Sequence, residues 1–121
     1  KYLGFIPEED KFAALNGAHI LMMPSFYESL SMVTLEAWAM QKPVLANARC
    51  DVLKGQCLRS NAGFFYENYA EFREGMSLLM DDPELREAMG KNGVAYYSEN
   101  YTWNVIEKKY LGIIEKITKE K

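Results

Sequence analysis

A chain of 121 residues, 49% hydrophobic and 13% aromatic, can bury one compact core but hardly two, so a single domain over residues 1–121 is expected. Its 14 Lys and Arg against 17 Asp and Glu give a net charge of -3, which offers polyanions no long-range attraction and argues against nucleic acid as a partner. Cys50, Cys57 and the single His19 lack metal-ligand spacing, no apolar run approaches the ~18 residues of a membrane span, and Lys1-Tyr2-Leu3-Gly4 lacks a signal-peptide layout, so reduced thiols, no metal and a cytoplasmic location are expected.

The first two-thirds of the chain alternates short apolar runs with helical patterns, the signature of parallel strands joined by helices. Tyr2 to Ile6 reads as a strand end, and Pro7 opens a helix that turns Phe12, Ala13 and Leu15 to the sheet and stops at Asn16-Gly17. His19 to Met23, bounded by Pro24-Ser25, reads as a buried central strand. A loop carries Phe26 to Leu30, and Met32 to Met40 is helical with Leu35, Ala39 and Met40 on its apolar side until Pro43 forbids continuation. Val44 to Ala46 is the next strand, Asn47 to Asn61 a long connection with a short helix, and Ala62 to Tyr66 a further strand.

The last third is expected to be helical throughout. Phe72, Met76, Leu79 and Met80 recur at helical spacing from Tyr69 to Met80, and Asp82-Pro83-Glu84 restarts a helix with an N-cap, a first-turn proline and an acidic residue on the dipole. Thr102 is expected to cap a final helix with an apolar stripe of Trp103, Ile106, Tyr110, Ile113, Ile114 and Ile117.

The segment from Pro24 to Ala37 runs from a strand end through a loop into a helix start, where open α/β sheets bind ligands. Glu28 lies in the loop and Glu36 about one turn inside the helix, so the exposed amides between them can face an anion. Eight residue steps span at most about 12 Å if helical, roughly the length of a sugar, a diphosphate and a second sugar. Carboxylates suit the two ends because they accept hydrogen bonds from vicinal hydroxyls on both oxygens. Two glutamates at this spacing also occur by chance, and a helical Glu is usually solvated. Glu36, however, sits between Leu35 and Ala37-Trp38-Ala39, where an unpaired carboxylate is costly, so it needs a partner.

Pro24-Ser25, Glu28, seven intervening residues, Glu36-Ala37 and Lys42-Pro43-Val44 together resemble the signature of retaining glycosyltransferases of family 4. Leu3-Gly4-Phe5, the His19 to Ser25 strand, Asp81-Asp82-Pro83 and Tyr101-Thr102-Trp103 follow that family in order, so the resemblance covers almost the whole chain. It implies a Rossmann-like parallel sheet flanked by helices, part of the C-terminal domain of a GT-B enzyme that binds a nucleotide-diphosphate sugar without a metal. The acceptor, a glycan or lipid-linked acceptor, would be held by an N-terminal domain outside this chain, and membrane association of the full-length protein is compatible with it.

Carried over position by position, the resemblance implies that Glu28 contacts the transferred sugar as the catalytic-site carboxylate and Glu36 the ribose. It implies backbone N–H groups of Ser29, Leu30, Ser31, Met32 and Val33 on the diphosphate and sugar, with Phe5 and Ile6 near the base. Ser29 and Ser31 depart from the family's frequent glycines, and Gln41 replaces a helix-ending glycine at a cost of about 1 kcal/mol if left-handed. The family's paired Arg and Lys on the diphosphate lie upstream of the matched region.

His19 is expected to be a packed or capping residue, and Trp38, Trp103, Tyr96, Tyr97 and Tyr110 core or interface aromatics rather than sugar platforms. An exposed stripe on the last helix would invite self-association. The competing readings are a non-catalytic nucleotide-sugar-binding or regulatory module and a two-carboxylate glycoside hydrolase. A dinucleotide oxidoreductase ranks last because no Gly-x-Gly-x-x-Gly turn follows a strand.

Overall fold

In the computed structural model, which describes residues 1–120, three parallel strands lie in the order β1 (Leu21–Met23), β2 (Val44–Asn47) and β3 (Gly63–Tyr66). Leu21 pairs with Val44 and Met23 with Ala46, so the carboxyl ends of β1 and β2 stand level. Parallel neighbours need crossovers, which α2 (Met32–Ala39) and α3 (Asp51–Ser60) supply. The helix α1 (Glu8–Gly17) precedes the sheet, and α4 (Tyr69–Asp81), α5 (Pro83–Asn100) and α6 (Trp103–Lys119) follow it. The α/β Rossmann-like arrangement with a helical C-terminal third follows from the alternation in the sequence.

All four residues of β2 are buried, because strands cover both its edges and helices both its faces. The two-residue period of the strand splits its side chains between two cores. Val44 and Ala46 pack with Leu35, Trp38, Leu53 and Cys57 of α2 and α3, whereas Leu45 packs with Leu79 of α4 and Met89 of α5. Trp38 is fully buried, donates Nε1–H to the Ala62 carbonyl at 3.1 Å and meets Tyr96 edge-on at 5.4 Å between centroids. It fastens α2 to the start of β3 and to α5, and truncating such a side chain to Ala costs about 3–5 kcal/mol.

Asp82 caps α5 through Oδ1, which accepts from the Leu85 N–H at 2.9 Å, and Pro83 occupies its first turn. Gln41 takes φ 61° after α2, in the left-handed region where glycine is favoured. The backbone there is pressed by α5: a methyl group at Gly90 would lie 2.3 Å from the Gln41 carbonyl oxygen.

Several sequence expectations are corrected. Tyr2 to Ile6 forms no strand, because no neighbouring strand among the described residues pairs with it, and Gly4 bends it with φ 67°. β1 is an edge strand of this sheet rather than the central one; it begins at Leu21, leaving His19 exposed rather than packed. Ala13 and Ala39 are exposed, on the outer sides of α1 and α2, while Phe12 and Leu15 make the inward contacts of α1. The connection from Asn47 to Asn61 holds a full ten-residue helix, α3, and Thr102 sits at the N-cap of α6 without a side-chain capping bond. Trp103 and Tyr110 are exposed, on a helix with no buried residue.

Both cysteines are free and buried, and burial pushes the Cys57 thiol up to about 12. Gly90→Ala is expected to lower stability by about 1–3 kcal/mol, because backbone on both sides of the contact cannot yield. Urea denaturation monitored by the buried Trp38 measures it, and an unchanged midpoint would contradict the close α2–α5 approach.

Candidate functional site

The carboxyl ends of β1 and β2 open onto two loops, residues 24–31 before α2 and 48–50 before α3. Asn47 joins them. Its Nδ2 donates to the Pro24 carbonyl at 3.2 Å, its Oδ1 accepts from the Arg49 N–H at 3.0 Å, and the Ala48 N–H adds a bond to the Tyr66 carbonyl at 2.9 Å. The crevice floor is therefore fixed by hydrogen bonds across all three strand ends.

Ser31 precedes α2 with φ 63° and ψ 81°, a left-handed conformation uncommon for a residue with a Cβ. Its hydroxyl pairs with the Thr34 hydroxyl at 2.8 Å instead of capping the helix, and its carbonyl accepts from the Thr34 and Leu35 N–H groups. Among the described residues, the N–H groups of Ser29 to Val33 donate to no protein acceptor. These five successive donors lie where a loop turns into a helix start, a setting in which backbone N–H groups and the helix dipole favour an anion.

Carboxylates flank this run. Glu28 is half-buried and lines a depression of about 200 Å³ together with Tyr27, Arg49 and Asp51, between the two loops. Glu36 is half-buried on α2 and accepts from Lys11 Nζ of α1 at 2.9 Å, so the partner that its apolar setting demands is a lysine. Lys11 also stands over the Phe12 ring at 4.7 Å. Phe5 is fully exposed and Ile6 half-buried in the segment that leads into α1. A larger hollow of about 650 Å³ between α4 and α5 is lined by Glu74, Asp81, Asp82 and Glu84 and lies away from the strand carboxyl ends, where it brings no free amides together. Among the described residues no three His, Cys, Asp or Glu side chains cluster to hold a metal, and no helix is long and apolar enough to cross a membrane.

The family described as glycosyl transferases group 1 matches residues 1–95. The chain belongs to that family. It is 30% identical over 105 residues to a D-inositol 3-phosphate glycosyltransferase of Corynebacterium efficiens, covering 85% of this chain and 24% of that protein. It is 28% identical over 116 residues to an alpha-D-kanosaminyltransferase of Streptomyces kanamyceticus, covering 94% of this chain and 30% of that protein. In fold it is similar to sucrose-phosphate synthase from Thermosynechococcus elongatus, with a TM-score of 0.84 and 21% identity over 100% of this chain and 31% of the other. The chain thus spans from 24% to 31% of the length of these proteins.

In this group 1 chain Glu28 to Ser31 lie in the loop before α2, and Met32, Val33 and Glu36 lie in α2 itself. Lys11, Asn47, Arg49 and Gln56 were not expected from the sequence. Gln56 of α3 donates Nε2–H to the Leu30 carbonyl at 2.8 Å, a contact between residues 26 apart that no local pattern announces. Asn47 carried a weak signal, an amide directly after an apolar strand, and Arg49 a weaker one, a cation between two strand-end turns.

Asn47→Ala should destabilise the fold by about 0.5–1.5 kcal/mol for each of the bonds to the Pro24 carbonyl and the Arg49 N–H that it removes. Hydrogen exchange should accelerate at Arg49 while β2 stays protected; unchanged exchange there would contradict the tie.

Proposed function

We propose that this chain is the donor-binding part of a retaining GT-B glycosyltransferase, most of its C-terminal domain. It holds a nucleotide-diphosphate sugar whose sugar is transferred to an acceptor bound by a further domain. The observation that carries this is the run of free amides from Ser29 to Val33 between two half-buried glutamates at the strand carboxyl ends. Family membership supports it, and the relatives named above act as glycosyltransferases by their own descriptions.

The diphosphate lies over the Ser29–Val33 amides, Glu28 accepts from hydroxyls of the transferred sugar and Glu36 from the ribose, with Phe5 and Ile6 beside the base. When the bond from the anomeric carbon to the diphosphate breaks, charge grows on the leaving oxygen, and preorganised amides at a helix start stabilise it without a metal. Glu28 positions the donor in this reading and forms no covalent intermediate. Two free, buried thiols suit a reducing compartment, which supports a cytoplasmic place of action.

Glu36→Ala in the intact protein should weaken nucleoside diphosphate and intact donor alike by about 1.5–3 kcal/mol, the range for a hydrogen bond to a charged group. Glu28→Gln should leave nucleoside diphosphate affinity nearly unchanged and lower turnover, because its partner hydroxyls belong to the sugar alone. Calorimetry and steady-state kinetics separate the two, and equal loss of free nucleotide in both variants would refute the assignment.

The chain on its own is expected to turn over no donor, since holding donor and acceptor together supplies much of the rate. It is also expected to self-associate through α6, where Trp103, Tyr110, Ile113, Ile114 and Ile117 are all more than half exposed along one stripe. Sedimentation showing a strict monomer at high concentration would contradict the second expectation, and donor turnover near the rate of the intact protein the first.

A further inference from the structure

We propose that Gln56 is a positioning residue for the diphosphate site, holding the Leu30 carbonyl so that the Ser31 N–H stays turned towards the ligand. This rests on the reading of Ser29 to Val33 as the diphosphate cradle.

Gln56 lies on the inner side of α3, 1% exposed, beside the buried Leu53 and Cys57. An uncharged amide in such a place costs desolvation that an aliphatic side chain of similar volume avoids. Its Nε2 donates to the Leu30 carbonyl at 2.8 Å, while its buried Oε1 has no partner among the described residues. Leucine would fill the space without stranding an acceptor, so what the amide adds is the bond to the loop, besides a side-chain contact with Tyr101.

That bond acts on a particular peptide unit. The Leu30 carbonyl and the Ser31 N–H belong to the same planar trans peptide, in which the two groups point in opposite directions. Anchoring the carbonyl on α3 therefore directs the Ser31 N–H away from α3, and this N–H has no protein acceptor among the described residues. The unit enters Ser31 at φ 63°, where a residue with a Cβ is not held by its own preference and the peptide needs an external hold. Gln56 thus acts through Leu30 and touches no substrate.

The test uses the intact protein and calorimetry with uridine, guanosine and adenosine diphosphates, each beside its unphosphorylated nucleoside. Gln56→Leu is expected to weaken the preferred diphosphate about tenfold or more, as for a donor to a charged group, and to leave nucleoside affinity unchanged. Gln56→Glu supplies a donor to Leu30 only as the neutral acid. Its diphosphate affinity relative to the unaltered protein should therefore rise as pH is lowered, a comparison that decides the matter even if Gln56→Leu does not fold. A folded Gln56→Leu protein with unchanged diphosphate affinity, or with equal losses for diphosphate and nucleoside, overturns the proposal, as does a Gln56→Glu protein whose affinity relative to the unaltered protein is the same at every pH. If the unaltered protein binds none of the diphosphates, the cradle reading fails and takes this inference with it.

Discussion

Because Ser31 turns the chain through the left-handed region immediately before α2, the loop that leaves β1 passes into a helix with its donors unspent. A serine side-chain cap would have satisfied one of the first-turn N–H groups, as Asn68 and Asp82 do for α4 and α5. Here the Ser31 hydroxyl is engaged by Thr34 instead. A helix start that forgoes its cap in this way is less stable by itself and more open to an anion, and backbone strain of this kind collects at ligand sites.

The rest of the fold holds that turn in place. The β1–β2 register aligns the strand ends, Asn47 ties their loops, and Gln56 reaches across from α3 to the turn itself. Below them Trp38 and Leu35 fix α2 against the sheet, with Gly93 leaving room on α5 for the Trp38 ring: a methyl group there would lie 2.6 Å from it. Packing of α2 and geometry of the site are thus one problem, since any rotation of the helix moves both its first amides and Glu36.

Strands β2 and β3 and most helix starts were legible in the sequence because each rests on local chemistry. Pro43 bars α2 from continuing, Asp82-Pro83 starts α5, and apolar Val44 to Ala46 forms most of β2. The failures share a cause in tertiary contact. Tyr2 to Ile6 has strand composition without a paired neighbour, and β1 has the composition of a central strand at an edge. The need of Glu36 for a partner was readable from its apolar neighbours, but the identity of that partner was not, since Lys11 lies 25 residues away on a different helix. Gln56 is one polar residue in a long connection, and only the fold brings it to the loop.

The most direct test of the account is a crystal structure of the intact protein with the nucleoside diphosphate it binds best. The account predicts both phosphates within hydrogen-bonding distance of N–H groups between Ser29 and Val33, with Glu36 on the ribose hydroxyls. Phosphates seated elsewhere, with these five amides facing only water, would contradict it.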